Sequence, residues 1–110
     1  MRKKNSMEKL ENEFYNSLKE MEHLAISIDF EGFANIFRKG CKILENQDIS
    51  IKERLIKAYN ITNVFGGMGS WNDSPPCYAH AKGIIEKYYF LTDQFYEIRK
   101  KVELILNENG

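Results

Sequence analysis

Residues 66–73 are the part of the chain whose residue types could bind a ligand through the backbone. The segment reads GGMGSWND, with three glycines and the only tryptophan of the chain. Glycines let backbone amides approach a ligand closely, and a helix that begins after such a loop attracts anions. A phosphate or nucleotide site is therefore one interpretation. Against it, the segment lacks the GxxxxGK[ST] pattern of a phosphate-binding loop and follows a predicted helix instead of a strand.

The same glycine-rich loop also has a purely structural interpretation. The glycines at 66–67 would end a helix, the side chains of Asn72 and Asp73 would stabilise a turn, and Trp71 would fill the core. Because tryptophan is also enriched among binding hot spots, the loop is either a contact region or the scaffold that shapes one. The residues that carry this hypothesis are Gly66, Gly67, Met68, Gly69, Ser70, Trp71, Asn72 and Asp73.

Cys77 and His80 form the second group that could do chemistry. The spacing C-x-x-H is half of a zinc-binding pattern, and a thiolate beside a histidine base could act as a nucleophile. Structural zinc needs four ligands, however, and the remaining Cys41 and His23 are unpaired in the sequence. A catalytic group of Cys77, His80 and Asp73 rests on titratable residues that fall within one helical turn readily by chance. We therefore expect no catalytic residue, no metal, no cofactor and no enzymatic activity.

Length and composition indicate one ordinary globular domain, residues 1–110. Hydrophobic residues make up 43% and charged residues 29% of the chain, far from the composition of disordered proteins. Sixteen basic and sixteen acidic residues give a formal net charge of zero, which disfavours a nucleic-acid or membrane partner. The two cysteines are too few for a disulfide framework, and the first residues lack the apolar run of a secretory signal. We therefore expect a cytoplasmic protein.

Apolar residues at steps of three and four over residues 7–28 predict a long amphipathic first helix. Asn5, followed three residues later by Glu8, is a variant of the capping box and predicts where this helix begins. If the polar side of the helix met a basic partner, charge complementarity would speed the association. The acidic residues on that side are Glu8, Glu11, Glu13, Glu20 and Glu22.

A second apolar stripe over residues 30–44 predicts a second helix, and Ser27 or Asp29 is its expected capping residue. Gly40 lies within this helix, although glycine has a low helix propensity. Close packing against a neighbouring helix would explain a glycine at this position. The polar break that follows, at residues 46–48, separates this helix from the next one.

Ser50 and Glu53 form a capping box that predicts the start of a third helix. In such a box a side-chain oxygen accepts a hydrogen bond from an otherwise unpaired amide of the first turn. The third helix is expected to end near Asn63 or Phe65. The reason is the pair of glycines at 66–67, since glycine readily adopts the positive φ that closes many helices.

Apolar residues at alternating steps of four and three over residues 84–105 predict a long last helix that ends near Asn107. Ser74 and Pro75 suit the cap and first position of a short helical turn, with a bend or break near Gly83 before the main helix. The prediction is an all-α, antiparallel helical bundle of about four helices with the glycine-rich loop before the long C-terminal helix. Its predicted core is Phe14, Met21, Phe33, Phe37, Leu55, Tyr59, Leu91, Phe95, Ile98 and Val102.

The string GGMGSWND at residues 66–73 resembles the GGMGS-aromatic-or-Leu-ND motif of a family of small, largely uncharacterised bacterial helical proteins. Helices before the motif and a long helix after it match that family's general layout. An apolar extended stretch tends to follow the motif in that family, whereas the sequence SPPC follows it here. Some members resemble immunity proteins of polymorphic toxin or contact-dependent inhibition systems. The resemblance therefore implies a protein that binds and inhibits a bacterial toxin.

The functional prediction is a cytoplasmic protein-binding module, an immunity protein that neutralises a toxin by covering its active site or a required surface. The expected partner is a protein such as a cognate toxin, and neither a membrane nor nucleic acid. The alternative is a small-ligand or nucleotide-binding helical domain that uses residues 66–73. The identity of the toxin or ligand and the oligomeric state stay open at this point.

Overall fold

Five α-helices make up the described part of the chain, which covers residues 2–66 and 68–108 of a computed structural model. No strand occurs within those residues, so the prediction of an all-α helical bundle is confirmed. Gly67, one of the predicted loop residues, lies outside them. The helices are α1 (Arg2–Ser27), α2 (Glu31–Leu44), α3 (Ile51–Ile61), α4 (Pro75–Ala81) and α5 (Ile85–Glu108).

The two long helices, α1 and α5, pack against each other, and α1 also packs along α2. Lys101 of α5 forms an ion pair with Glu13 of α1 at 3.6 Å, while Gln94 and Glu20 line one cleft further along the same two helices. Residue numbers therefore rise along α1 as they fall along α5, which makes the pair antiparallel. The helix α3 packs on α2, and the short α4 packs on α5.

The core lies between the apolar faces of α1, α2, α3 and α5, as predicted for eight of the ten expected core residues. Phe33 and Tyr59 are only partly buried, and for them the prediction is corrected. The Phe33 ring packs edge-on against the buried Trp71 ring, with ring centroids 5.3 Å apart, and the rest of the Phe33 side chain stays partly exposed to solvent. The Tyr59 hydroxyl donates to the exposed Glu103 carboxylate at 2.6 Å, which keeps one end of the side chain at the surface.

The start of α1 differs from the prediction. The helix already begins at Arg2, so Asn5 lies inside it and cannot cap it. The predicted capping box of Asn5 and Glu8 is therefore wrong. Three consecutive basic residues precede Asn5. Arginine and lysine have high helix propensity, which favours extension of the helix beyond the amphipathic stripe, while their positive charges at a helix N-terminus oppose it.

The junction between α1 and α2 is a tight helix end centred on Asp29, which has a φ of 67°. The amide of Asp29 donates to the Ile26 carbonyl at 3.0 Å, and the amide of Phe30 donates to the Ala25 carbonyl at 2.8 Å. These two bonds are those of a Schellman motif, with Asp29 in the left-handed position usually taken by glycine. Ser27 donates back to a carbonyl of α1. The prediction that Ser27 or Asp29 caps α2 is therefore wrong, because Phe30 occupies the N-cap position and the Asp29 carboxylate forms an ion pair with Lys82 at 3.2 Å.

The capping box of α3 is confirmed, since the Ser50 hydroxyl accepts a hydrogen bond from the Glu53 amide at 3.1 Å. The helix ends before Thr62, earlier than the predicted residue 63 or 65. Both the amide and the hydroxyl of Thr62 donate to the Ala58 carbonyl, at 3.1 and 2.6 Å. A buried threonine, not the glycines at 66–67, therefore closes α3.

Gly40 occupies the close contact between α2 and its neighbours that the sequence predicts. A Cβ atom at this position would lie 2.6 Å from Cγ2 of Thr62 and 3.1 Å from Cδ1 of Leu18. Gly32, in the same helix, has no such neighbour within 4 Å. The two glycines of α2 therefore differ, and only Gly40 is required by packing.

A second Schellman motif separates α4 from α5 at Gly83, where a break is predicted. Gly83 has a φ of 75°, and its amide donates to the His80 carbonyl at 3.0 Å. The amide of Ile84 donates to the Ala79 carbonyl at 2.9 Å. Ser74 lies at the N-cap of α4 as predicted, but its side chain makes no capping hydrogen bond.

Candidate functional site

Trp71 holds the glycine-rich loop in the core, because its side chain has no exposed surface. Its ring stacks on Tyr88 of α5 with centroids 5.1 Å apart. Phe33 and Phe37 of α2 contact the same ring edge-on, at 5.3 and 5.4 Å. Edge-on and offset contacts of this kind add to the free energy of simple burial. The predicted core-filling role of Trp71 is therefore confirmed.

Three hydrogen bonds fix the orientation of Trp71. The indole Nε1 donates to Thr92 Oγ1 at 2.8 Å, and the Tyr88 hydroxyl donates to the Trp71 carbonyl at 2.5 Å. The Trp71 amide donates to the Val64 carbonyl at 2.8 Å. Burial raises the pKa of Tyr88 well above its ordinary value, so the hydroxyl stays protonated and remains a donor. The loop is thus tied to α5 through both its side chain and its backbone.

The exposed part of the loop is a turn closed by Asp73. Its carboxylate Oδ2 accepts a hydrogen bond from the Gly69 amide at 2.9 Å, and the Ser70 hydroxyl donates to the Gly66 carbonyl at 3.1 Å. Gly69 has a φ of 82°, which a residue with a side chain rarely adopts. The predicted turn-forming role of Asp73 is confirmed, whereas the Asn72 side chain is exposed and takes no part in the hydrogen bonds described for this turn.

This geometry leaves little room for an anion in the loop. The Gly69 amide, which a phosphate would have to use, already binds the Asp73 carboxylate. The amide of Trp71 is also engaged. A phosphate entering the loop would displace a carboxylate or lie beside its negative charge. The loop therefore acts as a self-contained turn rather than as an open cradle.

A surface depression of about 420 Å³ adjoins the loop and is formed mainly by Phe65, Asn72, Asp93 and Tyr96. Tyr96 is 48% exposed, and its ring lies edge-on to Phe65 at 5.5 Å. Met68, at the tip of the loop, is 98% exposed. We call Met68 and the four named residues of the depression, Phe65, Asn72, Asp93 and Tyr96, the loop surface. The sequence predicted Met68 and Asn72 as residues of a candidate site, but it did not indicate Phe65, Asp93 or Tyr96.

Helical geometry gives a signal for one of the missed residues. Tyr96 follows the core residue Phe95, so it lies about 100° around α5 and cannot share the same buried face. This signal is not specific to Tyr96, because Tyr89, Phe90 and Leu104 of α5 are also large apolar residues at exposed positions. The sequence cannot give its proximity to Asn72, because that depends on how α5 packs against the loop.

The second predicted group, Cys77 and His80, lies exposed on α4. Across the part of the chain that the structure describes, no three histidine, cysteine, aspartate or glutamate residues come together as a metal site. Cys41 is buried, and burial raises the pKa of its thiol to about 11. Asp73, the third member of the suggested catalytic group, is engaged with the loop backbone.

The acidic residues of α1 do not form one solvent-facing row as predicted. Glu11 binds the buried Arg54 through two bonds, at 2.6 and 3.2 Å, and Glu22 binds Arg38 at 2.8 Å. The hydrogen bond to Glu11 raises the pKa of Arg54 further. Glu11 and Glu22 therefore stabilise the bundle, and Glu13 pairs with Lys101 at 3.6 Å. Of the predicted acidic row, only Glu8 and Glu20 form no ion pair with another described residue.

The fold and the loop surface define a small all-helical protein whose loop is anchored to α5 through Trp71. Comparisons with protein-family models, with curated proteins and with solved structures found no match to this chain. Within the described residues, no helix has the length and apolar character needed to cross a membrane.

Proposed function

We propose that this protein is a protein-binding module and acts as an immunity protein that neutralises a bacterial toxin by direct binding. The loop surface is the proposed contact, and no catalysis by the protein itself is required. The two free cysteines, Cys41 and Cys77, fit a reducing cytoplasm as the place of action.

The observation that carries the proposal is the contrast between Trp71 and Met68. Trp71 is completely buried, while Met68, three residues earlier, is 98% exposed. Because Trp71 already anchors the backbone of the loop, binding through Met68 would have to order mainly the methionine side chain itself. Methionine also adapts its shape to a partner surface more easily than branched residues do. The loop therefore has the properties of a preorganised recognition element.

Tyr96 and Asn72 support a protein as the ligand. Tyrosine provides a large contact area with few rotatable bonds, and asparagine provides adaptable hydrogen bonds, a combination typical of protein-binding surfaces. Asp93 contributes one negative charge beside them, and Lys100 lies 4.9 Å from the Tyr96 ring centroid. Mixed charges at the rim of an apolar contact favour specificity over raw affinity.

The motif resemblance of residues 66–73 narrows the proposed partner to a toxin. A nucleotide or other small anion is the alternative proposal, and the bond from Gly69 to Asp73 argues against it. A thermal-shift screen with phosphates and nucleotides separates the two. A ligand that binds only the folded state must raise the melting temperature.

The direct test uses the product of the gene adjacent to this protein's own gene. We expect that product to arrest growth of a bacterial host, and co-expression of this protein to restore growth. The Met68→Asp and Tyr96→Ala double variant removes the apolar contact and introduces a charge, so we expect it to lose both rescue and binding by calorimetry. A matched control is Leu104→Asp, which changes another largely exposed apolar residue on α5.

Three outcomes are informative. Rescue by the wild-type chain and by Leu104→Asp, but not by the double variant, supports both the function and the surface. Rescue by all three proteins places the contact elsewhere on the molecule. Absence of both rescue and binding with the wild-type chain contradicts the proposed function.

A further inference from the structure

The side of α5 that points away from the core carries two large apolar residues, Phe90 and Leu104, which are 66% and 65% exposed. A helix turns by about 100° per residue, so residues fourteen positions apart lie roughly 40° from each other around it. Both side chains therefore project from the same side of α5, about 21 Å apart along its axis. Neither residue belongs to the loop surface, so the contact proposed above uses neither of them.

Glu97 lies at the midpoint of this side. Phe90 precedes it by seven residues and Leu104 follows it by seven, close to the middle of the 24-residue helix. Asp93 precedes Glu97 by four residues and Lys101 follows it by four. All four residues lie within about 40° of Glu97 around the helix. We call Phe90, Asp93, Glu97, Lys101 and Leu104 the outer face of α5. Its apolar residues are placed symmetrically about Glu97, and its two flanking charges are opposite in sign.

A second copy of the chain matches this face when two α5 helices pack antiparallel about a two-fold axis at Glu97. In a two-fold contact, residue i of one copy meets residue j of the other, and j meets i. Phe90 then meets Leu104 of the second copy, and Asp93 meets Lys101 of the second copy, each pair occurring twice. A parallel arrangement would instead bring two aspartates together and two lysines together, and like charges repel. The charges of the outer face therefore favour the antiparallel arrangement.

The charged side chains of the outer face are free to make this contact. Asp93 is exposed and takes part in no ion pair within the described part of the chain. Lys101 pairs with Glu13 at 3.6 Å, but its side chain is 60% exposed, and an ammonium group has three donors. The two copies of Glu97 would meet at the axis, where Lys100 of each helix, 3.6 Å from Glu97, offsets part of their repulsion. The formal net charge of zero adds no repulsion between the whole molecules.

We propose that the protein self-associates as an antiparallel, two-fold dimer through the outer face of α5. The helix is about 36 Å long, and one helix face offers less area than the roughly 800 Å² per partner that is usual for stable complexes. The dimer is therefore weak and reversible, with a dissociation constant between about 10 µM and 1 mM. Asp93 also borders the loop surface, but the inference does not depend on the proposed immunity function.

Sedimentation equilibrium of the full chain, over concentrations that bracket this constant, should show a mass that rises toward twice that of the monomer. Phe90→Asp and Leu104→Asp should each weaken the dimer at least about tenfold, because two-fold symmetry places every substitution at two contacts. Met68→Asp makes the same kind of change at a 98% exposed position on the loop and should dimerise like the wild-type chain. A wild-type chain that stays monomeric throughout, or equal weakening by Met68→Asp, overturns the proposal.

A pair of charge variants tests the antiparallel register. Asp93→Lys alone would bring two lysines together at each flanking contact, and Lys101→Glu alone would bring two acidic residues together. Each variant should therefore dimerise about threefold or more weakly than the wild-type chain. In an equimolar mixture, the introduced lysine of one variant meets the introduced glutamate of the other, and the native Lys101 meets the native Asp93. The mixture should thus regain wild-type affinity, whereas a mixture no tighter than the separate variants overturns the proposed dimer.

The growth-rescue assay keeps the dimer apart from the proposed function. Leu104→Asp should be monomeric in sedimentation equilibrium and should still rescue growth, since residue 104 lies outside the loop surface. A wild-type chain that rescues growth but never dimerises overturns the dimer alone. A wild-type chain that dimerises but neither rescues growth nor binds the product of the adjacent gene supports the dimer and contradicts the immunity function alone.

Discussion

The guanidinium of Arg99 lies 4.0 Å from the centroid of the Tyr59 ring and donates a 2.9 Å hydrogen bond to the carbonyl oxygen of the same residue. A third contact, from Arg99 to Thr62 Oγ1 at 3.0 Å, completes the join between α5 and the C-terminal end of α3. Helix C-termini attract cations because their last carbonyls are unpaired. Arg99 therefore closes α3 from a different helix, and burial lowers the pKa of its guanidinium.

Replacing Arg99 by methionine should lower the free energy of unfolding by about 1–2 kcal/mol, because the Tyr59 carbonyl loses its donor. Methionine keeps most of the apolar stem, so little packing is lost. Urea denaturation measures the effect, and Lys100→Met, at an exposed neighbouring position, is the control with no expected change. Equal stability of the Arg99→Met protein and the wild type would mean that the desolvation cost of the cation offsets its hydrogen bonds.

Replacing Trp71 by phenylalanine should cost about 1–3 kcal/mol, since the bond to Thr92 is lost and a smaller ring leaves a cavity. Thr92→Val removes the other partner of the same bond. A double-mutant cycle of unfolding free energies should give a coupling of about 1 kcal/mol between the two positions. Additive effects would show that the indole bond contributes nothing to stability.

Gly40→Ala and Gly32→Ala should have opposite effects on stability. An added Cβ at residue 40 would lie 2.6 Å from Thr62 Cγ2, so we expect a loss of about 1–3 kcal/mol despite the better helix propensity of alanine. Gly32→Ala meets no neighbour and should gain up to about 1 kcal/mol. Thr62→Ser removes the clashing methyl group and keeps the hydroxyl. It should therefore restore part of the stability of Gly40→Ala, and no recovery would contradict the assigned contact.

We expect the free energy of unfolding to decrease at alkaline pH because the buried Cys41 thiol loses its proton there. Burial raises the pKa of its thiol from 9.0 in the unfolded chain to about 11, so the folded state retains the proton longer. Stability from this group is fully present below pH 9 and is lost as the pH rises toward 11. Thermal melts of the wild type and Cys41→Ala over this range should differ in slope. If the melting temperatures of the two proteins changed with pH at the same rate, the raised pKa assigned to Cys41 would be contradicted.

The hydrogen bond between Tyr15 and Glu45 predicts a second alkaline transition. It raises the pKa of the Tyr15 phenol from 10.0 to about 12. Absorbance at the tyrosinate band, compared between the wild type and Glu45→Gln, should show one tyrosine that titrates about one pH unit or more earlier in the variant. Identical titration curves would mean that the bond does not persist in solution.

The helices and the hydrophobic core could be predicted from the sequence because both depend on local periodicity. The break at Gly83 and the cap at Ser50 were predictable for the same reason. Helix ends that depend on residues distant in the sequence could not be predicted, and the end of α3 at Thr62 is the clearest case. This threonine ends α3 with a hydroxyl that is also bound by Arg99, 37 residues further along the chain.

The candidate site was predicted only in part. The glycines and Asp73 carry a local turn signal, so the loop and its closure could be inferred from the sequence. The depression beside it depends on Asp93 and Tyr96, whose proximity to Asn72 follows from the packing of α5.

The contacts of Trp71 also constrain when the loop can form during synthesis. Its ring packs on α2, which leaves the ribosome early, but its hydrogen bonds require Tyr88 and Thr92 of the last helix. A nascent chain that ends before α5 therefore carries the whole loop sequence without the partners that order it. Recognition through this loop, as proposed above, can therefore begin only after α5 has been synthesised, so a nascent chain that ends before α5 cannot engage a target through it.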